Sequence, residues 1–208
     1  MTTTSTTEAM PTGTSRWDGG DATPFDMSWQ KLMMWIFIVG DGLLFAAFLA
    51  GYGFLRLAAD TWPDQAKVFD MSLITIMTFV LISSSVSMAC AVQAAKIEDK
   101  KAVVRFLLLT VLGGAIFLGM QAFEWAGFIA DGGRLDGNPW GVPDFSALFF
   151  MMTGFHGTHV LIGVVILLIT TLRAKAGKTT AGGVELAGLY WHFVDLVWVF
   201  IFGCFYLI

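Results

Sequence analysis

The sequence is poor in charge, proline and cysteine, and each scarcity excludes something. Only 13% of the 208 residues are charged, where soluble domains carry about 25%, so a soluble enzyme is disfavoured. The 12 Lys and Arg form no basic patch, which excludes a nucleic-acid-binding surface. The net charge of −4 says little about partners in so apolar a chain. The two cysteines, Cys90 and Cys204, stand in separate apolar runs, so neither a disulfide framework nor a Cys/His zinc site is indicated. All five prolines, at 11, 24, 63, 139 and 143, fall outside the long apolar runs. No broken membrane helix of the transporter kind is therefore signalled, and no inverted repeat is visible. Only three histidines are present.

What is abundant is apolar sequence. Hydrophobic residues make up 56% of the chain, with 19 Phe and 11 Met, the balance of a polytopic membrane protein. Residues 1–28 are polar, rich in Thr, Ser, Gly and Asp. They lack the basic start and apolar centre of a signal peptide, and read as a flexible tail that stays where it was made. Residues 29–208 then hold five apolar runs, at about 30–56, 71–95, 103–130, 145–172 and 184–207. Each reaches the roughly 20 residues a helix needs to cross the hydrocarbon core. The runs are continuous rather than alternating, so helices are expected and not barrel strands. The expected fold is all-α, a bundle of five transmembrane helices.

Orientation follows from Lys and Arg. The tail and the second and fourth loops hold nine: Arg16, Lys31, Lys96, Lys100, Lys101, Arg105, Arg173, Lys175 and Lys178. The opposite face holds three: Arg56, Lys67 and Arg134. This asymmetry predicts a cytoplasmic N-terminus and an outward C-terminus. Trp29 on one side, and Trp62, Trp125 and Trp140 on the other, suit interfacial belts. Ser83, Ser87, Ala91 and Ala95 recur every four residues, a small-residue stripe read as helix contact without chemistry.

The informative residues are polar groups inside the runs. They are Asp41 in the first; Gln121 and Glu124 in the third; His156 and His159 in the fourth; Glu185, His192 and Asp195 in the fifth. An ionisable side chain at the centre of a membrane helix costs about 2.5–3.5 kcal/mol on insertion scales and is a functional hypothesis by default. At ~1.5 Å per residue, Asp41, His192 and Asp195 lie roughly 13–17 Å from the inner ends of their spans. By the same count His156 and His159 lie about 17–21 Å from the outer end, in the same central zone. Glu124 falls near the outer interface, where water is expected to reach it, and Glu185 near the inner one. Met152, His156, His159 and Gly163 share one helical face, as do Glu185, Gly188, His192 and Asp195. Both stripes are expected to turn toward protein, with His192 bonded to Asp195 or reaching His156 or His159.

Four readings of these groups compete. A di-iron membrane site needs more histidines than three. A haem held between His159 and His192 is allowed by depth. A proton or ion carrier would use Asp41, Glu124 and Asp195. A hydrogen-bonded network that locks helices together is favoured on the residues alone.

Four stretches add a family resemblance. "FFMMTGFHGTHVLIG" (149–163) and "LYWHFVDLVWVFIFGCFY" (189–206) resemble the two signature stretches of subunit III of haem–copper terminal oxidases. "FLGMQAFEW" (117–125) and "KLMMWIFIVGDGLLFAAFLAGYGF" (31–54) resemble two further family segments. The resemblance covers residues 29–208 and implies the short, five-helix form of a helical bundle. Longer members have seven spans, divided by a cleft that holds phospholipid. It further implies a subunit without catalytic residues, haem, copper or other metal of its own, those centres lying in partner subunits. Its partners would be subunit I, as main contact, subunit II and membrane phospholipids, in a bacterial cytoplasmic membrane. Its implied roles are stability in turnover and support of proton uptake. Asp41, Gln121, Glu124, His156, His159, His192 and Asp195 stand at motif positions, with Tyr190, Trp191 and Trp198 beside them. Gly154 and Gly157 flank His156 and, with Gly163, would let the last two helices close on each other, the histidines forming a polar clamp between them. One departure stands out: the family commonly has Glu in its first shared helix, where this chain has Asp41 between Gly40 and Gly42. Relatives of the family also serve quinol oxidases and accompany some nitric oxide reductases.

Overall fold

The computed structural model describes residues 27–207, so all but the last two residues of the stretch read as a tail lie outside the described residues. Helices run α1 (Trp29–Ala58), α2 (Gln65–Val68), α3 (Met71–Lys96), α4 (Lys100–Ala130), α5 (Pro143–Lys175) and α6 (Ala181–Ile201). A π-helical turn, Phe202–Leu207, ends the last span. Among the described residues five helices are long and apolar enough to cross a membrane, as expected. The short α2 and the π-helical turn carry no apolar period of their own, and the sequence reading did not separate them.

The helices outrun the apolar runs because polar residues start them. Asp70 accepts from the backbone N–H groups of Ser72 and Leu73, Asp99 from those of Lys101 and Ala102, and Thr180 from that of Gly183. These caps satisfy N–H groups that have no intrahelical partner. Pro143 opens α5, where its missing N–H costs nothing. The α3–α4 turn is tight enough to hold Glu98 at φ 58°, a left-handed conformation uncommon outside glycine.

The bundle places α6 among α3, α5 and α1, while α4 packs on α3 and α5. Two tryptophans of α6, Trp191 and Trp198, are wholly buried. Trp191 fits because glycine faces it from two helices. A Cβ on Gly114 would lie 2.5 Å from the indole, and one on Gly163 2.9 Å. The end of the core beside α2 and the π-helical turn is aromatic, with Phe69, Phe128, Phe145, Phe149, Phe205 and Tyr206 in mutual contact and the rings of Phe128 and Phe149 4.4 Å apart. Helix α1 is peripheral. Only Phe45 and Tyr52 of it are buried, while Met33, Ile36, Val39, Leu43, Phe54 and Leu57 face outward.

Candidate functional site

The polar groups of the spans form several separate pairs rather than one converging site. His156 is fully buried, ringed by Phe117, Trp198 and Phe45. Its Nε2 lies 3.2 Å from the carbonyl oxygen of Val194 on α6. A carbonyl only accepts, so Nε2 carries the proton. Its Nδ1 has no partner among the described residues.

His159, one turn further along α5, uses Nδ1–H to donate to the carbonyl of Phe155, at 2.9 Å. That fixes the ring, and its Nε2 lies 3.2 Å from Asp41 Oδ2 on α1. The contact falls short of an aligned hydrogen bond, since Oδ2 has no partner by direction. Both side chains are only 11% exposed. With Nδ1 committed, one proton serves the gap between Nε2 and the carboxyl: an imidazolium facing a carboxylate, or a carboxylic acid facing a neutral ring. Either arrangement is neutral overall, which is what a low-dielectric setting favours. Tyr190 closes the pair from above, its hydroxyl donating to the carbonyl of His159 at 3.2 Å.

Gln121 reaches from α4 to α5, its amide donating to the carbonyl of Thr153 at 2.6 Å. Gly157 makes room for it, since a Cβ there would lie 2.8 Å from the amide. The Trp125 indole donates to Thr153 Oγ1 at 3.1 Å, and Gly154 lies against the same ring. Gly154 and Gly157 thus face α4, and Gly163 faces Trp191 and Tyr190 of α6.

Glu124 corrects an expectation. It is 7% exposed rather than wetted, because the π-helical turn lays Tyr206 over it and the phenol donates to Oε1 at 2.9 Å. Glu185 pairs with Lys31 at 2.7 Å, joining the first turns of α1 and α6 at a partly exposed site.

The largest difference concerns α6. Its stripe does not face α5. Gly188 packs on Val92 and Met88 of α3, and the ring of His192 lies on the exposed surface with Nδ1 2.6 Å from Ser85 Oγ. Asp195, half-buried beside it, has Oδ1 without a hydrogen-bond partner among the described residues. His192 therefore bonds none of Asp195, His156 or His159. Of the two histidine rings only that of His156 bonds α6, because the ring of His159 serves α1; the other polar link between the last two helices is Tyr190 to the His159 carbonyl.

Helix α3 contributes contacts the sequence reading passed over. Trp191 donates to Ser84 Oγ at 3.1 Å, and Trp198 to Thr78 Oγ1 at 3.0 Å. Buried indole N–H groups need acceptors, so the seven-residue spacing of these tryptophans against hydroxyls six apart on α3 was the available signal. In the predicted stripe, Ser87 bonds Thr110 of α4 at 2.8 Å and Ala91 is buried, whereas Ser83 is exposed. Helices α3 and α4 approach closely at Gly113, where a Cβ would lie 2.6 Å from that of Ser84.

Among the described residues no three His, Cys, Asp or Glu converge as metal ligands. His159 and His192, the pair that a shared ligand would need, turn to different helices.

The sequence model of the family described as Cytochrome c oxidase subunit III matches residues 15–208. The chain belongs to that family. It is similar to cytochrome c oxidase subunit 3 of Alkalihalophilus pseudofirmus, 34% identical over 85% of each chain. Cytochrome c oxidase subunit 3 of Thermostichus vulcanus is 33% identical over 86% of this chain and 87% of its own. The probable quinol oxidase subunit 3 of Staphylococcus saprophyticus is likewise 33% identical, over 86% of this chain and 89% of its own. Membership makes the chain a multi-pass subunit III of a haem–copper oxidase complex. Within that family frame, the motif residues of α1, α4 and α5 are those of the inward pairs, and those of α6 are shared between the core and the lateral surface.

Proposed function

We propose that the chain is a non-catalytic subunit of a bacterial aerobic terminal oxidase, seated on subunit I and assembled with subunit II, which stabilises the complex in turnover and supports proton uptake. One observation carries this reading. The inward ionisable groups meet one another or backbone carbonyls across helix boundaries, Asp41 with His159 and Glu124 with Tyr206, which is a device for holding helices. Haem and copper belong to the partner subunits. The membrane is the bacterial cytoplasmic one, with the N-terminus inside, on the strength of the nine-to-three distribution of Lys and Arg.

Phospholipid binding has a place as well. A cavity of about 520 Å³ opens at the inner ends of α1, α5 and α6, lined by Lys31, Arg173, Lys178, Thr179 and Glu185. Three cations against one carboxylate suit an anionic head group.

The test is to delete the chain from its oxidase. Oxygen reduction is expected to remain measurable and to decay faster during turnover, with the haem content of the remaining complex intact. Loss of all haem from that complex, or a stoichiometric haem spectrum on the isolated chain, would overturn the proposal. For the electron donor we favour cytochrome c, on the names of two relatives. The staphylococcal relatives, at the same identity, favour quinol. Oxidation assays of the purified complex with reduced cytochrome c and with a quinol separate the two.

A further inference from the structure

His192 and Asp195 sit mid-span on α6, about 17–21 Å from its start at Ala181 by helical rise. That is the central zone of a ~30 Å hydrocarbon core. His192 is exposed on the lateral surface, whereas Asp195 beside it is half-buried and its unpartnered Oδ1 is sealed within the bundle. Ser85 serves both groups, its Oγ 2.6 Å from His192 Nδ1 and hydrogen-bonded to the Asp195 side chain, so His192 Nε2 is left to meet something else. Acyl chains supply neither donors nor acceptors at this depth. Polar side chains in such a place face a bundle interior or another protein.

We infer that the α3–α6 face around His192 is the surface on which this chain docks against a transmembrane helix of the oxidase's catalytic subunit, a helix that carries at mid-membrane depth a polar side chain able to hydrogen-bond His192 Nε2. The inference rests on the proposed function and adds to it which face is covered. The occupant's chemistry follows from the patch: the exposed ring, with Nδ1 held by Ser85, asks for a hydrogen-bonding neighbour at Nε2. The surroundings fit helix docking. Ala89 follows Ser85 by four residues and Leu196 follows His192 by four, both exposed and one turn from the polar centre, so a small and an apolar residue frame it.

Photo-crosslinking in the intact complex tests this. A benzophenone amino acid is placed at Ala89 and at Leu196, and for comparison at Phe123 on α4 and Leu161 on α5, which are exposed elsewhere on the bundle. Adducts to the catalytic subunit from Ala89 and Leu196, with none from Phe123 and Leu161, are expected. In addition, His192→Leu should lower the amount of chain retained by the complex several-fold while its level in the membrane holds. Catalytic-subunit adducts from Phe123 or Leu161 only would overturn the inference and leave the proposed function standing. Adducts from Ala89 and Leu196 to lipid only, or to a second copy of this chain, would also overturn it. A chain that purifies without any oxidase would overturn the proposed function itself.

Discussion

His156 and His192 are both mid-span histidines on adjacent helices, and the fold treats them oppositely. His156 is sealed among Phe117, Trp198 and Phe45, with a single bond to a carbonyl of the next helix. His192 lies on the outer surface, tethered to Ser85. The first is part of how the bundle holds itself; the second is left for what lies outside. In a water-soluble protein such a split is visible beforehand, since the outward face is polar and the inward one apolar. In a membrane span both faces are apolar, and a polar residue marks a contact without saying on which side.

The comparison breaks most sharply on the two histidines themselves. His156→Ala opens a cavity beneath Trp198 and is expected to destabilise the subunit by about 3 kcal/mol, within the range for large-to-small core changes. His192→Ala in the isolated chain should fall within about 0.5 kcal/mol, as for surface substitutions. Thermal or denaturant unfolding in mixed micelles measures both. Equal losses would show that the two positions do not differ in the way their burial says.

A second contrast uses glycines of one helix. Gly114→Val drives side-chain atoms into Trp191 and Val164, since even a Cβ there would lie 2.5 Å and 2.7 Å from them. Overpacking of that kind costs about 1–3 kcal/mol. Gly119, on the same helix, has nothing within 4 Å of a built Cβ. Gly119→Ala should be neutral or stabilising by about 0.5–1 kcal/mol through helix propensity. The same unfolding assay reads both, and a neutral Gly114→Val would mean that α4 and α6 are not pressed together at Trp191.

How much of this was legible in the sequence follows the same division. The five spans were, because 20-residue apolar runs have one reading. Their ends were read short, α5 at 145–172 against Pro143–Lys175 and α6 from 184 against Ala181. Hydropathy does not register polar caps such as Thr180 or charged last turns such as that of Arg173 and Lys175. The polar residues within the spans were also legible. Their partners were not, apart from the expectation that α5 would be clamped to α6. The rotation of each helix about its axis is set by knobs such as Trp191 against Gly114 and Gly163, and no periodic pattern announces these. Glu124 shows the same limit: its burial depends on the final turn widening to bring Tyr206 over it.

Asp41 and His159 sharpen the comparison in another way, because they join the least buried helix, α1, to a helix of the packed bundle, α5. A double-mutant cycle with Asp41→Asn and His159→Gln is expected to give a coupling of about 0.6–1.7 kcal/mol, the span measured for polar contacts within membranes. Zero coupling would mean that the 3.2 Å approach holds nothing, and that α1 stays in place through its other contacts, such as Phe45, Tyr52 and the Lys31–Glu185 pair.

The smallest effect is expected at the start of α1. Lys31 and Glu185 are 2.7 Å apart, but their side chains are 32% and 36% exposed, so solvent screens the pair. Lys31→Gln should cost no more than about 0.2–1 kcal/mol, the range for exposed ion pairs. Added salt should shrink that difference further, because the Debye length falls to about 3 Å at 1 M. The Asp41–His159 coupling, enclosed by protein, should change little over the same salt range. If both couplings fell together with salt, the mid-span pair would be as wet as the one at the surface, and the distinction between an inward and an outward polar contact would fail on α1.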